Sequence, residues 1–170
     1  MLIYLGADHA GFELKENIKS FLARIGYKVH DEGAYQYEPD DDYPDYVKLV
    51  AIQVGSDPDS LGIIFGGSGQ AEAITANRFK KVRAVVYYGS VLPQQVVDIT
   101  GRTSASALEI IRLSREHNNA NVLSIGARFV TKAEAEEAVK LWLDTPFTSD
   151  ERHVRRLKKI DGLLKDENVF

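Results

Sequence analysis

With 170 residues the chain has the length of one domain, enough to bury about 70% of its unfolded surface without disulfides or metals as staples. Its 21 Lys and Arg stand against 25 Asp and Glu, a net charge of −4, which argues against the basic excess of a general nucleic-acid binder. There is no Cys, so disulfides, thiolate metal sites and a cysteine catalyst are excluded together, and the composition fits a reducing cytoplasm.

Short apolar runs alternate with amphipathic stretches. Leu2–Ala7 reads as a first strand. Phe12–Ile25 reads as a helix, with Phe12, Leu14, Ile18, Phe21, Leu22 and Ile25 near helical spacing. Gly26 is placed to end it in the left-handed conformation. Tyr27–His30 reads as a second strand and Asp31–Tyr43 as an acidic loop. Pro44 suits the first turn of a helix over Asp45–Val54. Leu61–Phe65 is a third, wholly apolar strand, followed by the turn Gly66–Gly69 and a helix over Gln70–Phe79. Val82–Tyr88 and Asn121–Ile125 read as strands four and five. Lys132–Leu143 and about Asp150–Lys165 read as closing helices.

Between strand four and a helix expected near Ser104 lies Gly89–Thr103. Its length, about fifteen residues, exceeds the usual 2–6 of α/β connections. It reads either as a surface excursion with a short helix near Gln94–Ile99 or as a lid over a site. The start of the chain, which reaches Asp8 and His9 at once, has no signal-peptide pattern, and no apolar run approaches the ~20 residues of a membrane span. The expectation is a cytoplasmic protein with no membrane and no nucleic-acid partner.

Strands alternating with helices imply parallel strands joined by right-handed crossovers, in a three-layer α/β/α sandwich. Ligands in such sheets bind at the carboxyl ends of the strands. The residues that follow strands one, three and five are therefore the candidates: Asp8 and His9, Gly66–Gly69, and Gly126 with Arg128. The glycine turn lets a backbone approach a ligand closely, and the helix behind it presents free N–H groups suited to a phosphate or an oxyanion. It lacks both the P-loop ending and the dinucleotide fingerprint. Glu72, one turn into that helix, is either an ordinary dipole-favoured Glu or a general base kept ionised by the dipole. His30 reads as structural, and His117 as a cap at a helix C-terminus. The run Arg152-His153-Val154-Arg155-Arg156 reads as a solvated face or a phosphate grip. No His/Asp/Glu spacing resembles a metal site, and no metal or cofactor is expected.

Several segments together resemble type B ribose-5-phosphate isomerases and the related galactose-6-phosphate isomerase subunits. They are Gly6-Ala7-Asp8-His9-Ala10-Gly11-Phe12-Glu13-Leu14-Lys15, Asp42-Tyr43-Pro44-Asp45-Tyr46, Gly66–Gly69 with Ala76-Asn77, Arg115-Glu116-His117-Asn118-Asn119-Ala120-Asn121-Val122-Leu123, Gly126-Ala127-Arg128, and Arg152-His153 with Arg156. The resemblance implies a flavodoxin-like parallel sheet of order 2-1-3-4-5. It also implies a homodimer whose two sites each draw on both chains, with further pairing into tetramers left open. The implied reaction is metal-free aldose–ketose isomerisation of a five- or six-carbon sugar phosphate, ribose 5-phosphate by default and galactose or allose 6-phosphate as the alternative.

In one branch of the family a Cys opens the glycine loop as the base. Here that position is Gly66, and the pattern matches the branch whose base is a Glu, Glu72. By the same resemblance Asp8 and His117 open the sugar ring, and Glu72 moves the proton between C2 and C1 through a cis-enediolate. The N–H groups of Gly67, Ser68, Gly69, Gln70 and Ala71 hold the oxyanion, aided by the Ser68 hydroxyl. Asn118 orients sugar hydroxyls, Tyr43 lines the pocket, and His9, Arg128, Arg152 and Arg156 take the phosphate. The terminal helix, about 150–165, is expected against the partner subunit. The long segment 89–103 departs from the family pattern. Two other readings share these residues: a nucleotide- or flavin-binding protein of the same fold, and a degenerate subunit without catalysis.

Overall fold

The structure, a computed structural model, describes residues 1–163. Five strands, β1 (Leu2–Ala7), β2 (Lys28–Asp31), β3 (Leu61–Gly66), β4 (Ala84–Tyr87) and β5 (Val122–Gly126), form one wholly parallel sheet. The helices are α1 (Phe12–Arg24), α2 (Tyr43–Ser56), α3 (Gln70–Ala76), α4 (Glu109–Glu116), α5 (Lys132–Asp144) and α6 (Glu151–Leu163). The last two residues of the expected terminal helix, 164–165, lie outside the described residues.

One face of the sheet, through Ile3, Leu5, Ile63, Phe65, Leu123 and Ile125, packs on Leu14, Ile18 and Leu22 of α1 and Ala135, Val139 and Trp142 of α5. The other, through Ile64 and Val122, packs on Val47, Val50, Ala51 and Val54 of α2 and Ala76 of α3. Helices on both faces explain why β3 and β5 are buried along their whole length. Gly26 ends α1 at φ +89° as expected.

The strand order is β2-β1-β3-β5-β4, which corrects the expected 2-1-3-4-5 in its last two places. The chain leaves β3 through α3, skips one lane to lay down β4 at the edge, and returns through α4 to fill the gap with β5. Two contacts hold β5 beside β3. The Ser124 hydroxyl donates to the Gly69 carbonyl at 2.5 Å, and the Ala127 N–H donates to Gly66 at 2.8 Å. The burial agrees, since β5 is buried throughout whereas β4 is half-exposed over Ala84–Val86.

The expected helices near Gln94–Ile99 and Ser104 do not form: the first stretch runs through bends, the second is irregular, and α4 begins only at Glu109. Arg102 ties this connection down. Its guanidinium meets Asp98 at 2.9 Å, Glu109 at 3.0 Å and Glu116 at 2.8 Å. The Val97 N–H donates back to the Arg102 carbonyl at 2.7 Å.

Lys15, on the buried stripe of α1, has no exposed side chain. Its ammonium donates to both Asp31 oxygens at 2.7 and 2.8 Å and to the Ala34 carbonyl at 2.8 Å. This buried pair fastens the exit of β2 to α1 and so positions the acidic loop that follows.

Candidate active site

The carboxyl ends of β1, β3 and β5 converge as the strand-end rule requires. Asp8 is 6% exposed, and its Oδ1 accepts the N–H groups of Ala10 and Gly11 at 3.0 and 3.2 Å. Burial pushes its pKa up against those two bonds. Glu72 is 4% exposed, and its Oε2 has no hydrogen-bond partner. Burial raises its pKa, its own backbone N–H lowers it, and the nearby charge of Asp8 raises it further. The helix dipole expected to keep Glu72 ionised is therefore outweighed by burial. Its helix, α3, has only seven residues.

A Cβ built on Gly66 would fall 1.8 Å from Glu72 Oε1, so the carboxylate rests directly on the Gly66 backbone. Gly69 caps α3 at φ +75° and sits 3.0 Å, measured to an added Cβ, from the Gly126 nitrogen. Both glycines are thus needed, one for space and one for backbone conformation. Gln70 and Ala71 begin α3, where the first N–H groups have no intrahelical acceptor. The Ser68 hydroxyl accepts the Gln70 N–H at 3.3 Å.

Arg128 folds over Gly67, with its guanidinium carbon 3.3 Å from where a Cβ would stand. It lies close enough to His9 to oppose that residue's protonation electrostatically. His9 is nonetheless driven towards the cation, because its Nδ1 bonds Asp41 Oδ1 at 2.8 Å; the His9 N–H reaches the same oxygen at 2.9 Å. Asp8, His9 and Asp41 bring three potential ligand atoms within 4.8 Å of one another, a cluster that sequence spacing does not reveal. Asp8 and Asp41 each commit one oxygen to the hydrogen bonds just given. Tyr43 opens α2 and packs on the core beneath the site.

The remaining candidates lie elsewhere. His117 and Asn118 follow α4 and precede β5, at the amino end of the sheet, a strand's length from Glu72 in the same chain. His117 stacks on His153 of α6, with ring centroids 4.2 Å apart. Arg152 is half-buried beside His153, and Arg156 is exposed on the same helix. Asn118 borders a cleft of about 340 Å³ with Leu157, Ile160 and Asp161. One chain therefore holds two separated groups of candidates, each a candidate half-site: Glu72, Asp8, His9, Arg128 and the glycine turn at the carboxyl ends of the strands, and His117, Asn118, Arg152 and Arg156 at the amino end. Asp41, one of three consecutive Asp residues, is not reached from the sequence, and His153 is reached only as part of a basic run that reads as a solvated face or a phosphate grip.

A parallel five-stranded α/β sandwich with a buried carboxylate above a glycine turn defines a candidate proton-transfer enzyme. Comparison narrows this. The profile of the family described as Ribose/Galactose Isomerase matches residues 3–98 and 103–160, and the break falls inside Gly89–Thr103. The chain belongs to this family. It is 41% identical over 157 residues to ribose-5-phosphate isomerase B of Mycolicibacterium paratuberculosis, covering 92% of this chain and 87% of that one. It is 33% identical to ribose-5-phosphate isomerase B of Escherichia coli, covering 98% of each. Among solved structures, ribose-5-phosphate isomerase B from Mycoplasma genitalium with bound ribulose-5-phosphate superposes with a TM-score of 0.83. That match is 32% identical and covers 97% of both chains.

Proposed function

We propose that the protein interconverts ribose 5-phosphate and ribulose 5-phosphate. The observation that carries this reading is Glu72, a buried carboxylate seated on Gly66 with one oxygen, Oε2, left without a hydrogen-bond partner. Isomerisation moves one proton between adjacent carbons, so a single base on one face of the substrate suffices. Glu72 takes the proton from C2, the C1 oxygen gains charge, and an enediolate forms. The O2 hydroxyl proton passes to O1 as Glu72 returns its proton to C1, which leaves the C2 carbonyl of the ketose. The N–H groups from Gly67 to Ala71 face the developing oxyanion, and the Ser68 hydroxyl adds a donor; one such donor is worth about 10²–10³ in rate. A raised pKa suits Glu72 to both halves of this exchange, since the base must also release the proton.

Asp8 and His117 serve ring opening, Asn118 and Tyr43 the sugar hydroxyls, and His9, Arg128, Arg152 and Arg156 the phosphate. Because the half-sites are separated within one chain, the working unit is a homodimer in which His117, Asn118, Arg152 and Arg156 of one protomer complete the Glu72 site of its partner. The exposed Ile74 and Tyr88 flank a groove of about 730 Å³ along edge strand β4, a surface suited to a second copy. The segment 89–103 and helix α6 border this junction. Among the described residues no helix is long and apolar enough to cross a membrane. With its Cys-free composition, the reading is a cytoplasmic enzyme of pentose phosphate metabolism.

The test is to incubate the purified protein with ribose 5-phosphate and follow ribulose 5-phosphate, with Glu72→Gln alongside. Turnover lost in the variant supports the reading and its base. Turnover that persists in the variant moves the base elsewhere. Turnover of galactose 6-phosphate alone reassigns the substrate.

A further inference from the structure

The rings of His117 and His153 lie 4.2 Å apart, with planes inclined by only 15°. The two are unequal. His153, in the first turn of α6, is 5% exposed, whereas His117 is half-buried at the end of α4. His153 also has a neighbour on its rim: Arg152 Nε lies 3.2 Å from His153 Nε2. A guanidinium only donates, so Nε2 accepts and the ring proton sits on Nδ1. The surroundings agree. From α6, Arg152 and Arg156 disfavour a charge on the ring and Asp150 favours it; from the end of α4, His117 disfavours it. With burial, these hold the pKa of His153 below the ordinary imidazole range. This neutral ring uses its face and its rim for different neighbours, and both neighbours are candidates for the same half-site.

We propose that His153 is a positioning residue that fixes the placement of His117 relative to Arg152, coupling the group that opens the sugar ring to a group that grips the phosphate. The proposal rests on the isomerase reading given above. The face of the ring sets the plane of the His117 imidazole. The rim holds Arg152 Nε, leaving the two terminal nitrogens to fork around an anion. Asp150, 3.5 Å from the same Nε, braces Arg152 from the exposed side. A residue that merely filled space would need neither an acceptor nor a flat face aligned to within 15° of its neighbour.

Two variants separate face from rim. His153→Phe keeps the flat ring and removes the acceptor; His153→Gln keeps an acceptor near Nε2 and removes the ring. His153→Phe is expected to weaken binding of inorganic phosphate about tenfold and raise KM for ribose 5-phosphate alike, with kcat held within about threefold. It should retain the upfield ring-current shift of the His117 protons. His153→Gln is expected to keep phosphate affinity, lower kcat about tenfold and lose the ring-current shift. Parallel losses in both variants that track melting temperature, or no change in either, overturn the proposal.

A measurement on the parent needs no variant to fold. Nitrogen NMR should show His153 protonated on Nδ1, and protonation on Nε2 would overturn the proposal. Phosphate binding and the ring-current shift do not depend on turnover. A parent inactive on ribose 5-phosphate therefore defeats the isomerase reading while His153 is still decided on its own evidence.

Discussion

The carboxylate of Glu72 fills the space that a side chain on Gly66 would occupy: an added Cβ would lie 1.8 Å from Oε1 and 2.1 Å from Cδ. The two positions compete for one volume. A base carried on the glycine loop at 66 and a base carried on α3 at 72 reach the same place by different routes. Gly66 here is what leaves room for the Glu72 carboxylate.

Gly66→Ala is accordingly expected to displace the carboxylate, lower kcat by at least about 10² and destabilise the fold by about 1–3 kcal/mol. In a Glu72→Ala background the same change should cost little stability, because the opposing atoms are gone. Thermal melts of the four proteins form a double-mutant cycle, and additive effects would show that the two positions do not share that volume.

Glu72→Gln should abolish turnover and stabilise the protein. Burial holds the folded-state pKa of Glu72 above its ordinary value. Such a carboxylate favours folding while protonated, and that contribution is lost as pH rises through the folded value. At neutral pH the ion is therefore a cost, and an unpartnered buried oxygen adds to it. An amide of the same shape should recover roughly 1 kcal/mol, or about 2–4 °C in Tm for a chain of this size. The gain should shrink below the ordinary carboxylate range; a gain independent of pH would contradict the argument. In the parent, the acid limb of the kcat/KM profile should fall above that range.

Asp41→Asn tests the support of His9. The hydrogen bond to Asp41 raises the His9 pKa and so favours the charged ring beside Arg128. The pair favours the charged form up to the raised folded value, so its loss is felt on the alkaline side. KM should rise several-fold at about pH 7.5 and less than about twofold near pH 6, where an unsupported imidazole is still mostly protonated. Proton NMR of the His9 ring should show its titration moving down.

Lys15→Met should be the most damaging of these changes to stability. It leaves the half-buried Asp31 with Lys19 as its remaining cation and the Gly33 N–H as a donor, and frees the Ala34 carbonyl. Breaking a buried pair costs about 3–5 kcal/mol, and the remaining Lys19 contact places the expected loss near the lower end. The lysines hold the Asp31 pKa below its ordinary value. That stability is present above the ordinary carboxylate pKa and is lost as pH falls through the depressed one. Melts across pH should show the parent and Lys15→Met converging in acid.

The sequence carries the layers and the half-site around Glu72 plainly, for physical reasons. Leu61–Phe65 is apolar on both faces because helices cover both faces, and the strand-end rule gathers Asp8, His9, the turn Gly66–Gly69 and Arg128, with Glu72 one turn beyond. The lane order of β4 and β5 is not local information. Both are short apolar runs, and the choice between them rests on contacts such as that of Ser124 with Gly69. Asp41 is indistinguishable from Asp40 and Asp42 until the loop closes on His9. His153 and Lys15 left a usable trace. His153 precedes buried Leu157 by one helical turn, and Lys15 shares a stripe with Ile18 and Leu22. A charged or titratable residue on an apolar stripe marks a polar group that the core must satisfy.

The edge position of β4 has a consequence for how this chain tolerates change in length. Residues added after Tyr88 grow outward from the rim of the sheet, so they displace no strand and open no cavity. Closing a longer loop there costs only about 0.6 kcal/mol per doubling. The clamp of Arg102 on Asp98, Glu109 and Glu116, with the Val91 N–H donating to the Ala107 carbonyl, folds the extra chain back onto α4. The exit of β5, hemmed in by the Gly126 backbone against Ser68, has no such freedom. Insertions and deletions should therefore accumulate at the first place and be purged at the second, making the rim of β4 the natural register in which lineages of this enzyme diverge.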